Sequence, residues 1–321
     1  MNKMKQNCFF TLVMIFAAAT FVFTACDGSK QEKQAKQAKA AHTAGVLLVT
    51  FGSSYEVPHQ TFKKVKERVQ KEFPAEKIRL AFTSDFIINK LRAGKGEGAL
   101  NGQKINISRP QEAIEAMLNE GYSKIAVQSL HVIPGSEYEQ LVKAIDEVKN
   151  KHQGVEITLG KPLLDSDKDI EEVAKILAEK FKEEIKKGPV CFMGHGTPHQ
   201  ADHVYTKLEA ILQKTNPHFF IGTVEGKGVE VKKSSIDAVI AKLRKLNPKP
   251  TQISISPLMS IVGDHANNDL NGVSGEKNPE EQSWRERLEA EGYKINAVMK
   301  GLADYPEIVA IWLSHLSNSK R

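Results

Sequence analysis

Cysteine is scarce in this chain, and its few copies are not placed to build a disulfide framework. Of three cysteines, Cys8 and Cys26 lie near the N-terminus and Cys191 stands alone in an apolar run, so stability has to come from a buried core. A long hydrophobic run is also missing. The stretch at 8–23 is too short to span a bilayer comfortably; with Lys3 and Lys5 ahead of it, it has the charged-then-apolar layout of a secretory leader. Excess charge of one sign is weak as well. The formal charge of +6 falls to +4 once Lys3 and Lys5 leave with a leader that contains no acid, which is too mild and too mixed to argue for nucleic acid as a partner. Finally, Ser53 and Ser54 after Phe51-Gly52 lack the flanking glycines of a nucleophile elbow and the lysine of a P-loop, so neither chemistry is expected there.

The leader closes with Phe23-Thr24-Ala25-Cys26, which is similar to a bacterial lipobox, where cleavage before the cysteine leaves Cys26 lipidated. Residues 27–43, with Lys-Gln-Ala-Lys-Gln-Ala-Lys-Ala at 33–40, are polar and carry no apolar stripe at any period. Such a segment cannot bury enough surface to fold alone. The expectation is therefore a signal peptide at 1–25 and a flexible tether at 26–43, in an exported protein held in the periplasm or at the outer membrane by its lipid.

The remaining part, about 280 residues, suffices for one large or two modest α/β domains. Strand-like apolar runs at 46–51, 78–83, 125–130, 155–159, 190–193, 219–224, 253–257 and 293–297 alternate with helix-like stretches, which predicts parallel βα units. Pro58, Pro110 and Pro306 fall at expected helix starts, Ser234 at an expected N-cap, and 167–187 reads as one long helix between the halves. The halves also look like weak copies. Residues 46–53 align with 190–197 after a one-residue gap, placing Phe51 opposite His195, and 130–137 align with 258–265, placing Glu137 opposite His265. Two similar Rossmann-like domains, at 44–165 and 166–321, would leave a cleft between the carboxyl ends of their sheets.

Two histidines follow expected buried strands: Met193-Gly194-His195-Gly196-Thr197-Pro198-His199 and Met259-Ser260-Ile261-Val262-Gly263-Asp264-His265. Both imidazoles should project into one crevice, where they can hold a transition metal, take up protons, or do both. His199 and His203 fall four apart if Pro198 begins a helix; they form either a second metal pair or a polar face bonded to nearby loops. His131 after the third strand is either an axial ligand to a bound haem or a satisfied residue at the cleft rim. Glu137 and Tyr138 either grip the periphery of a ring or simply begin a helix, and Ser53 and Ser54 can donate to ligand carboxylates.

Four blocks together carry a resemblance: 195–203 (His-Gly-Thr-Pro-His-Gln-Ala-Asp-His), Gly222-Thr223-Val224-Glu225-Gly226, Gly263-Asp264-His265-Ala266-Asn267-Asn268-Asp269, and 131–139. Together they resemble the anaerobic cobalt chelatases of the CbiK type, which insert cobalt into sirohydrochlorin. The resemblance covers nearly everything from Gly45 onward. It implies a chelatase-like fold of two α/β domains with the tetrapyrrole between them, and a metal held by His195, Glu225 and His265 in the second domain. The imidazoles would also serve as base. Co²⁺ is then the expected metal, with Fe²⁺, Ni²⁺ and Zn²⁺ open to the same donors, and relatives that assemble imply a homo-oligomer. Export raises a second expectation, a lipid-anchored haem-binding protein for haem capture or iron removal, as in exported haem-associated members. A metal-binding protein without tetrapyrrole is a third.

Overall fold

The computed structural model describes residues 44–224 and 235–320; the expected leader and tether, including Cys26, lie outside them. Eight strands form where the apolar runs predict them. In the first half they are β1 (Ala44–Thr50), β2 (Lys77–Phe82), β3 (Lys124–Ser129) and β4 (Glu156–Gly160), paired in parallel in the order β2-β1-β3-β4. The second half repeats this with β5 (Val190–Gly194), β6 (Phe219–Thr223), β7 (Gln252–Pro257) and β8 (Lys294–Ala297) in the order β6-β5-β7-β8. Central strands such as β1 and β5 are buried along nearly their whole length, because helices cover both faces of a parallel sheet and leave no polar side.

The described helices are α1 (Glu56–Glu72), α2 (Asp85–Arg92), α3 (Pro110–Asn119), α4 (Ser136–Lys151), α5 (Asp167–Lys180), α6 (His203–Thr215), α7 (Ile236–Leu243), α8 (Trp284–Ala290) and α9 (Pro306–Ser319). Pro110 and Pro306 occupy first helical positions, where a missing N–H costs nothing. Two expectations shift. The helix from 167 stops at Lys180 because Phe181 leaves helical geometry and turns into the core at 1% exposure. The N-cap of α7 is Ser235, whose hydroxyl accepts from the Ala238 N–H, whereas Ser234 lies outside the described residues.

The two sheets share one apolar core. Val46 and Leu48 of β1, Phe192 of β5, Leu177 of α5 and Trp312 of α9 belong to the same buried cluster. Helix α9 of the second half packs on β3 and β4 of the first sheet. There the Trp312 indole N–H points to the backbone carbonyl of His131 at 3.4 Å, tying α9 to the strand end that carries that histidine. Among the described residues no helix is long and apolar enough to cross a membrane. Trp312→Ala should lower the unfolding free energy by about 3–5 kcal/mol, read from urea denaturation; an unchanged midpoint would show that α9 does not brace the first sheet.

Candidate functional site

In each sheet the strand order reverses between its first and third strands, between β1 and β3 and between β5 and β7. Open α/β sheets bind ligands beyond the carboxyl ends of the strands at such a switch point. Here both switch points open onto one cavity of about 310 Å³. It is lined by residues 51–55 after β1, His131 after β3, His195 after β5, and Met259 with Gly263, Asp264 and His265 after β7. The duplicated turns are alike in backbone as well as position. Gly52 and Gly196, aligned in the two halves, both take left-handed conformations, at φ +102° and +81°, which glycine adopts without strain. At Gly52 a side chain is excluded twice over, since a Cβ would approach the Phe82 ring to 2.4 Å.

The turn carries Phe51 in one half and His195 in the other, with ring centroids 6.3 Å apart. His195 and His265 meet edge to face, with centroids 4.8 Å apart and planes at 87°. Their surroundings fix how they can react. Nδ1 of His195 lies 2.8 Å from the Gly196 carbonyl oxygen, and Nδ1 of His265 lies 2.6 Å from Oδ2 of Asp269. Neither oxygen can donate, so in each neutral ring the proton resides on Nδ1 and the lone pair on Nε2. Asp269 reaches His265 across a π-helical turn at Ala266–Leu270. A carboxylate behind an imidazole orients the ring and raises its basicity as a ligand.

His131 has a different neighbour. It is 8% exposed, and its Nδ1 lies 2.8 Å from the Ser129 hydroxyl, which also accepts from the His131 backbone N–H. The Ser129 hydroxyl can donate to Nδ1 or accept from it, and Nε2 meets no partner among the described residues. Burial holds its pKa down to about 4, so the ring is neutral near pH 7.

The other expected residues divide. Ser53 and Ser54 are buried and line the cavity, with the Ser53 hydroxyl accepting from the Tyr55 N–H. Glu137 lines it too, while Tyr138 does not; partial burial raises the Tyr138 pKa to about 12. His199 and His203 do not form an i, i+4 pair, because a short 3₁₀ turn at Gln200–Asp202 intervenes and α6 begins only at His203. The His199 ring instead accepts from the Ala201 N–H and contacts Glu139 at 3.1 Å, and His203 donates to the Gln200 carbonyl. Neither lines the cavity. Glu225 lies outside the described residues, and among those described no cluster of three metal-ligating side chains occurs.

Several cavity residues escape a sequence reading. Tyr55 donates to Asp264 at 3.2 Å and Asn268 bonds both, joining the first half to the loop that carries His265. Asp269 was open to view as an acid four residues after a histidine, the spacing that meets on one helical face.

A model of the cobalt chelatase (CbiK) family matches residues 44–320. The chain belongs to that family. Family relatives include the sirohydrochlorin cobaltochelatase CbiKC of Nitratidesulfovibrio vulgaris, 34% identical over 274 residues, covering 85% of this chain and 89% of the relative. The sirohydrochlorin cobaltochelatase of Salmonella typhimurium is 31% identical over 275 residues, covering 84% of this chain and 94% of its own. Among solved structures, SirB from Bacillus subtilis with Fe³⁺ shares the fold at 17% identity and a TM-score of 0.57, covering 86% of this chain and 95% of its own. The family's two-domain chelatase fold is thus the one observed.

The neutral, buried His131 has a consequence for acid stability. Because its pKa is about 4 in the folded protein and near 6.5 when exposed, the unfolded chain binds a proton that the native state refuses between these values. Stability should therefore fall as pH drops from about 6.5 to 4, by roughly 1.4 kcal/mol per pH unit at most from this group. His131→Gln should flatten that part of the profile in urea melts; a variant keeping the parent's slope would contradict the assignment.

Proposed function

We propose that this protein is a chelatase that inserts a divalent metal ion, Co²⁺ foremost, into sirohydrochlorin or a closely related tetrapyrrole at the joined switch points. The observation that carries the reading is the His195–His265 pair, two imidazoles in contact whose neutral forms both bear the lone pair on Nε2. The reaction consumes a hydrated divalent ion and a ring with two pyrrole N–H groups, and yields the metallated ring and two protons. Imidazole nitrogen is a borderline donor suited to Co²⁺, Fe²⁺, Ni²⁺ or Zn²⁺, and can accept a proton near neutral pH. His195 and His265 would present the ion to one face of the ring and take up the departing protons. No oxidant, reductant or covalent nucleophile is called for.

Glu225, matched by motif, would complete the metal set or relay a proton. Ser53, Ser54 and Glu137 border the cavity, and the serines would meet acid arms of the ring. Two curated relatives that act as sirohydrochlorin cobaltochelatases support cobalt and sirohydrochlorin as the substrates. The leader-like N-terminus and the lipobox-like Cys26 support an exported enzyme anchored by lipid.

Metallation followed by absorbance, with purified protein, sirohydrochlorin and Co²⁺, tests the reading. The parent should turn over, and His195→Ala combined with His265→Ala should lower kcat by about 10²–10⁴-fold, the range for losing a positioned proton acceptor. A double variant that metallates at the parent's rate would remove both residues from the mechanism.

A further inference from the structure

Four large apolar side chains stand exposed among the described residues: Phe51, Val57, Phe86 and Val273. The two aromatic ones both line the cavity. Phe51 is 42% exposed and Phe86 is 73% exposed. They are held on adjoining backbone, since the Ser84 N–H donates to the Phe51 carbonyl at 3.2 Å and Ser84 is the N-cap of α2, accepting from the Ile87 N–H. Ile87 anchors that helix in a buried cluster with Phe62 and Phe82. Phe86 is therefore presented on a rigid element, not on a wandering loop.

One helical turn on, Lys90 shares the face of Phe86 and also lines the cavity. It is the one lysine or arginine among the described lining residues, where the acids are Glu137 and Asp264. Its ammonium lies 2.6 Å from Glu97, with side-chain exposures of 24% and 45%. The pair is partly buried, with Glu97 the more exposed partner, so a ring carboxylate would take the place of Glu97 at the ammonium. The cavity itself is too small to enclose a macrocycle with its arms: about 310 Å³ is at the low end of the roughly 300–1,000 Å³ of drug-sized sites. A ring seated on His195 and His265 must extend past the mouth, where these aromatics lie.

We propose that Phe86 and Phe51 form an aromatic lip that covers part of the tetrapyrrole outside the cavity, and that Lys90 receives one of its acid arms. The lip thereby determines which way round the ring enters. This assignment rests on the tetrapyrrole reading above and adds substrate-positioning residues that the metal chemistry does not require. A large apolar surface that would otherwise face water gains a partner only when the ring arrives.

Phe86 is exposed, so its variants should fold like the parent. With purified full-length protein, Phe86→Ala should raise KM for sirohydrochlorin about tenfold, equivalent to roughly 1.4 kcal/mol, while kcat and KM for Co²⁺ stay unchanged. Phe86→Trp should restore the parent's value. Lys90→Met should raise the same KM about fivefold and weaken its dependence on salt. The inference is overturned if both Phe86→Ala and Lys90→Met stay within twofold of the parent, if the loss falls on kcat, or if Phe86→Ala changes the oligomeric state while leaving KM intact, which would make the lip a contact between copies. Binding of metal-free sirohydrochlorin, read from its own absorbance shift, separates the two claims. A parent that binds the ring without metallating it sinks the insertion reading and leaves the lip tested by binding, whereas a parent that does not bind the ring sinks both.

Discussion

The chemistry of the cleft depends on which nitrogen of each imidazole holds its proton. A carbonyl oxygen behind His195 and a carboxylate behind His265 can only accept, so both neutral rings keep the proton on Nδ1 and the lone pair on Nε2. That arrangement is common to metal binding and proton abstraction, the two tasks that inserting an ion into a tetrapyrrole requires. His131 has a serine hydroxyl in the equivalent place, which can donate as well as accept.

The fold exists to bring those neighbours together. Each half alone is a four-stranded parallel sheet with one switch point, and duplication gives two such points with a shared core behind them. After duplication the same left-handed glycine turn serves different ends: it presents an aromatic ring in the first half and a basic one in the second. The first half offers apolar surface, hydroxyls and one ammonium; the second offers the nitrogen donors. α9 and the Tyr55–Asp264–Asn268 contacts bind the halves to each other at the back and at the mouth.

Much of this was legible in the sequence because parallel strands, buried on both faces, leave continuous apolar runs, and all eight strands lie where those runs do. The placement of His195 directly after β5 was legible for the same reason, whereas His265 stands at a helical turn beyond β7. Of the two readings of His199 and His203, the bonds to nearby loop backbone are observed, but the shared helical face that Pro198 suggested is not, because the His199 ring itself caps a 3₁₀ turn and delays the helix to His203. Tyr138 fell beside Glu137 in the sequence but not in space, since adjacent helical residues point about 100° apart. Phe86 was invisible as a surface residue: an apolar side chain on a short amphipathic helix reads as core, and only the packed structure shows that Ile87 and Leu91 fill that part while Phe86 is left outside.

The central claim is that His195 and His265 receive one divalent ion between them. Anomalous X-ray scattering from crystals soaked in Co²⁺ tests it most directly. A single peak about 2.1 Å from Nε2 of both rings, lost in the His195→Ala, His265→Ala variant, is the predicted result. A peak at His199 and Glu139 instead, or one that persists in the variant, would contradict it.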